Sequence, residues 1–238
     1  MANLILDMQE ILTKAKYYRG PVDGNITPDF DDAVSNYKAE LGGLIRRPFI
    51  GPETLKLMGL DSTRMKELPA PWVNEMGRYM GLHERIDNGV LSKWLKSDGS
   101  TLGDPSKLPW CGDAVHTSIR LTLPDEPFSG NLAKNPYWAL NWLEFGTPTP
   151  PCYGAILAFE RRPGGGHVGF AVGIDEKARK IRVRGGNQKD MVSDAWLDIS
   201  GISVKLRGYR YPLTFDRAPK MVLPKLDSKN NKSVSELS

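Results

Sequence analysis

LPWCGDAVHTSIRL, residues 108–121, is the stretch whose reading decides the fold. Pro109 and Trp110 read as the end of a loop. Behind them Ala114, Val115, Ser118, Ile119 and Leu121 give a mostly apolar face at helical spacing. The pattern predicts a helix with Cys111 in its first turn, where unpaired backbone N–H groups and the positive end of the helix dipole favour an anion. Thiolate is the reactive form of cysteine, and this position is expected to lower the thiol pKa. The other cysteine, Cys152, follows a run of prolines with no such helix behind it. Most lone cysteines are small buried apolar residues, so Cys111 gains meaning only from its company.

That company lies downstream. In GGGHVGFAVG, residues 164–173, three glycines lead into alternating Val168, Phe170 and Val172, a flexible loop running into a strand. His167 stands at the strand's start, on the face opposite those residues. KIRVRGGNQ follows, with Ile181 and Val183 inward, then Gly185, Gly186 and Asn187. A cysteine nucleophile, an imidazole base and a polar residue orienting the imidazole are the parts of a thiol hydrolase. Asp113 and His116 stand close to Cys111 in sequence, but on a helix neither an i+2 nor an i+5 residue shares its face well.

PWCGDAV, GGGHVGFAVG, IRVRGGNQKD and the closing LRGYRYP resemble the NlpC/P60–CHAP superfamily of papain-like cysteine hydrolases, over roughly residues 71–212. The resemblance implies cleavage of an amide bond in bacterial peptidoglycan, either within the stem or bridge peptide or between sugar and L-alanine. It implies Cys111 as nucleophile, His167 as general base and Asn187 as the orienting third residue. Better known members carry His or Glu in the third place.

Upstream, Leu4, Met8, Ile11, Leu12 and Ala15 form one helical stripe. YYRGPVDGN then supplies turn chemistry, and Thr27 reads as an N-cap with Pro28 at the first helical position. A short helix over residues 52–58 ends at Gly59. DMQEILTKAKYYRGPVDGNITPDFDDAVSNYK and GPETLKLMGL resemble the three-helix peptidoglycan-binding module, over roughly residues 2–60. Tyr17, Tyr18 and Arg19 are candidates to line its groove, or else to pack its loop. Residues 61–70 read as a linker, so a chain starting near Pro69 is expected to fold.

The expected fold class is therefore α+β, with a small three-helix bundle (residues 1–62) before a papain-like domain (71–212). In that domain the catalytic helix packs on an antiparallel sheet. Apolar residues 155–159, a hairpin around DEKAR, and alternating Ile202, Val204 and Leu206 are its expected strands. Residues 213–238 read as a disordered tail. Glu75, Glu84 and Asp87 could suggest a glycosidase, but surface solvation accounts for them more simply.

Composition narrows the function classes. With 238 residues, 40% hydrophobic and 25% charged, the chain reads as soluble and globular, without stable membrane association. The net charge of +4 suits an anionic polymer such as the cell wall. The three histidines show no zinc-ligand spacing, so no metal and no cofactor is expected, and no nucleic-acid motif is present. The first residues lack a secretory leader, so a protein acting on the wall from the host cytoplasm would need a holin for export, as phage endolysins do. The expected assembly is a monomer with both thiols free. An injected antibacterial effector and a non-catalytic wall-binding protein are the competing readings.

Overall fold

The computed structural model describes residues 3–199, 201, 204–216 and 220–229. Asn3 caps α1 (Leu4–Lys14) by accepting from the Ile5 N–H. Thr27 caps α2 (Pro28–Gly42) through the Phe30 N–H, with Pro28 opening the helix. Gly43 closes α2 in the left-handed region at φ 61°. The YYRGPVDGN loop between them is held by one buried side chain. Gln9 accepts from the Asp23 and Gly24 N–H groups and donates to the Asn25 carbonyl. After α3 (Pro52–Leu57), residues 62–67 form a 3-10 helix in which Arg64 bonds both Asp7 and Glu67.

Then come α4 (Pro71–Gly77), α5 (Asn88–Leu95), α6 (Cys111–Thr122) and α7 (Gly130–Lys134), with a second 3-10 helix at Ala139–Glu144. The strands are β1 (Thr147–Pro148), β2 (Ile156–Arg161), β3 (Gly166–Asp175), β4 (Lys180–Gln188), β5 (Met191–Asp198) and β6 (Val204–Tyr211). They form one antiparallel sheet in the order β1-β6-β2-β3-β4-β5. Helix α6 packs on β3 and β4, and the second 3-10 helix packs on β2 and β3. The fold is thus α+β, as expected, with a strand β5 that alternation did not predict. Ile202, placed in the last strand by its pattern, lies outside the described residues.

Two expectations are corrected. Residues 61–70 are no flexible linker, because the N-terminal helices are docked on the rest. Asn74 and Ile50 exchange two hydrogen bonds, Arg47 donates to the Arg78 carbonyl, and Arg184 of β4 reaches Asp31 of α2 at 2.5 Å. Buried apolar side chains of both parts belong to one continuous cluster. Second, much of the stretch after Pro212 is held in place. Phe215 is buried edge-on against Trp72, and Leu223 is 3% exposed. Residues 221–226 bond Tyr153 and Ile174, and Asp175 accepts from the Ser228 N–H and hydroxyl. Met221, Leu223, Pro224 and Leu226, interspersed with exposed Val222 and Lys225, supply that adhesion. No helix among the described residues is long and apolar enough to cross a membrane.

Candidate active site

Cys111 is the first residue of α6, and its thiol is free and buried at 6% exposure. The helix can come this close to the neighbouring chain because the next residue is glycine. A Cβ on Gly112 would lie 2.3 Å from the Tyr137 carbonyl oxygen. Trp138, which follows Tyr137, stays 47% exposed at this rim, whereas Trp142 and Phe145 are fully buried core. Trp110 anchors the other side of the helix start by donating its indole N–H to buried Glu84 at 2.9 Å. Glu84 is therefore a structural acceptor rather than a solvated surface carboxylate. Glu75 is likewise buried, beside Arg78.

The thiol is not poised as its helix position suggests. Burial pushes the Cys111 pKa up, although the Val168 and Gly112 N–H groups and the Arg161 charge pull the other way. Desolvation outweighs the helix terminus, so the resting sulfur is a neutral thiol. It nevertheless sits against the amide of Val168, the residue after His167, which brings the head of α6 to the start of β3.

His167 is 2% exposed, and its Nε2 lies 3.1 Å from Gln188 Oε1. The Gln188 amide has only one tenable orientation. Its Nε2 donates to the carbonyls of Val183, Gly185 and Ser193, at 3.1, 3.4 and 2.5 Å. Turned over, its oxygen would face those three carbonyl oxygens. Oε1 must then accept from the imidazole, so His167 carries its proton on Nε2 and keeps a basic lone pair on Nδ1. Burial, helped by the Arg161 charge and opposed by Gln188, holds the ring's pKa down at about 4. The imidazole is neutral at ordinary pH and available as a base.

The amide that hydrogen-bonds the His167 ring is therefore that of Gln188 and not that of Asn187. Asn187 sits at φ 57°, in the left-handed region, and its side chain hydrogen-bonds to no described residue. Its part is conformational, since asparagine tolerates that backbone better than most residues. A register shift between Gly185 and Gln188 inserts one extra residue in β4, which re-aims the chain. Gly186 lets this turn reach α6, because a Cβ there would lie 2.5 Å from the Trp110 ring. Alternation along β4 could not reveal the shift; the chemical equivalence of the Asn and Gln amides was the only available signal. We expect Gln188→Ala to lower turnover by about ten- to a hundredfold and to release the Nε2–H tautomer, as read by nitrogen NMR. Asn187→Gly, which accepts positive φ, should keep the wild-type rate. Equal losses in the two variants would reject this assignment.

The buried ring also links the site to stability. Between the ordinary histidine pKa near 6.5 and the folded value of about 4, the unfolded chain binds a proton that the folded chain refuses. Stability is therefore lost as pH falls through that window, with His167 contributing about 3 kcal/mol of the loss. Asp32 and Asp113, each raised to about 6 chiefly by burial, act in the opposite sense. The comparison to make is thus wild type against His167→Asn. The difference in their unfolding free energies should shrink from pH 7 to pH 4, and a constant difference would contradict the buried neutral ring.

Other sequence candidates fall elsewhere. Asp113 accepts from the Thr101 hydroxyl and the Leu102 N–H, and His116 stands 2.8 Å from Asp98, beneath the helix. Tyr18 is core: it is 2% exposed, edge-on to Phe30, and donates to the Pro21 carbonyl. Tyr17 lies against Tyr37 and Glu40, and Arg19 is exposed. Among the described residues no three His, Cys, Asp or Glu side chains are grouped as a metal ion would require. Compared with family models, curated proteins and solved structures, the chain matches none of them.

Proposed function

We propose that this chain is a papain-like cysteine amidohydrolase acting on bacterial peptidoglycan, in the role of a phage lysis enzyme. The observation that carries the chemistry is the oriented imidazole. Gln188 pins the proton on Nε2 of a buried neutral His167, and the next residue, Val168, offers its amide to the cysteine at the head of α6. The substrate class comes from the resemblance of PWCGDAV, GGGHVGFAVG and GGNQ, and Trp138, which follows the Tyr137 backbone packed on Gly112, leaves an exposed aromatic surface.

In the proposed reaction His167 Nδ1 takes the Cys111 proton as sulfur bonds to the amide carbonyl carbon. The oxyanion that forms is met by backbone N–H groups at the start of α6. The imidazolium then gives its proton to the departing amine, the C–N bond breaks, and a thioester remains. Water, deprotonated by His167, hydrolyses the thioester to a carboxylic acid and restores the thiol. Burial raises the thiol pKa and lowers that of the imidazole, so both disfavour a resting ion pair and favour proton transfer during the attack. In this reading the N-terminal helices hold the wall, with Arg19 exposed and Tyr17 half-buried against Tyr37.

Mass spectrometry of fragments released from purified sacculi tests the reading. The expected products carry a new amine and a new carboxylate at one amide, with glycan chains intact. Fragments bearing new reducing ends and no new amines would reject it in favour of a glycosidase.

A further inference from the structure

Arg161 has no role in the reaction just described, yet the sheet sets it beside the site. In the β2–β3 pairing Phe159 stands opposite His167, so the two share a face, and Arg161, two residues further along β2, projects from that same face. Its N–H bonds the Gly165 carbonyl, closing the hairpin loop immediately before His167. The opposite face of this hairpin is taken by the second 3-10 helix, which lies against Gly166. Unlike buried His167, Arg161 is exposed, and its guanidinium pairs with no carboxylate among the described residues. Its neighbour Glu160 is already engaged by Arg207.

We propose that Arg161 is the anion-receiving residue of this site, holding a carboxylate that the substrate bears next to the scissile amide. The proposal rests on the cysteine-hydrolase reading and narrows its substrate to stem peptides with a free acid at that place. An exposed, unpaired guanidinium at the end of β2 offers a two-pronged partner for a carboxylate. Its charge also acts on both reacting groups, favouring the thiolate and opposing the imidazolium. A bound carboxylate cancels that opposition just when His167 must accept a proton. Anionic substrates would therefore gain in kcat as well as in KM, which a purely structural arginine would not produce.

The test compares two thiol reagents of nearly equal shape. Iodoacetate is an anion and iodoacetamide is neutral; each forms a sulfur–carbon bond to Cys111 and expels iodide. The full chain carrying Cys152→Ser is alkylated by each, and the ratio of rates is taken. Arg161→Gln should lower the iodoacetate-to-iodoacetamide ratio by about fivefold or more at low salt, and high salt should compress the difference. Arg162→Gln, one residue along, should leave the ratio within about twofold. An unchanged ratio in Arg161→Gln, or an equal fall in Arg162→Gln, would overturn the proposal. If neither reagent labels Cys111 in the folded protein, the nucleophile reading itself fails, and the proposal with it. In a second arm, muropeptides with a free or an amidated carboxylate beside the bond are compared. Wild type should prefer the acid, and Arg161→Gln should lose that preference.

Discussion

Cys111→Ala is expected to abolish release of fragments from sacculi, lowering the rate by at least about a thousandfold while leaving the fold intact. The size follows from covalency. Without sulfur there is no thioester, and the remaining amides can only bind the carbonyl. The fold should survive because alanine is smaller than cysteine and keeps the helix start, where the thiol donates to no side chain. Circular dichroism and thermal melting establish that, and the same samples are assayed for release. Residual activity above a tenth of wild type would remove Cys111 from the mechanism. Cys152→Ser should be close to silent. Its sulfur lies 3.8 Å from the Thr149 hydroxyl, and burial raises its pKa as well, with no imidazole beside it.

The second large effect is on stability. Arg184 is 2% exposed and lies between Asp31 of α2 and Asp194 of β5, with bonds of 2.5 Å to the first and 2.8 and 3.1 Å to the second. Replacing it by methionine keeps the aliphatic volume but leaves two carboxylates buried without their shared cation. Asp194 would retain only Arg182, at 3.2 Å. Breaking a buried pair from one side costs about 3–5 kcal/mol, which corresponds to a fall in melting temperature on the order of 10 °C for a chain of this size. The half-exposed Arg207–Glu160 pair is the contrast: Arg207→Met should cost less than about 1 kcal/mol. Scanning calorimetry decides, and similar losses in both variants would show that Arg184 is no linchpin. Removing residues 1–68 takes Asp31 away and also uncovers Tyr153 and Asn74. The shortened chain is expected to melt lower than the sequence alone implied.

What was legible in the sequence follows from how local each signal is. The start of α6, the cap at Thr27, the β3–β4 hairpin and the positions of Cys111 and His167 are set by neighbours in the chain, and periodicity or turn chemistry exposes them. The partner of the imidazole is set by a register shift in β4, which makes Gln188 and not Asn187 the hydrogen-bonding amide. The docking of α2 was hidden for another reason. Asp31 reads as a first-turn helix residue, and its partner is 153 positions away. The direction of the thiol's shift depends on how deeply α6 is buried, a quantity that belongs to the packed molecule. Glu84 was misread on the same ground, as solvent could not be told from the Trp110 indole.

The docked helices carry a consequence for multivalent attachment. A flexible joint lets a binding module and a reactive centre search independently, so their effective concentration depends smoothly on the length of the joint. With Asp31 fastened to β4, Arg47 to the Arg78 carbonyl and Ile50 to Asn74 of α4, that search is absent, and the two surfaces keep one spacing and one angle. Local concentration is then very high where the substrate lattice repeats at that spacing and close to zero where it does not. Under the proposed function, such a protein would act as a gauge of wall architecture, cutting densely in strands of matching pitch and passing over the rest.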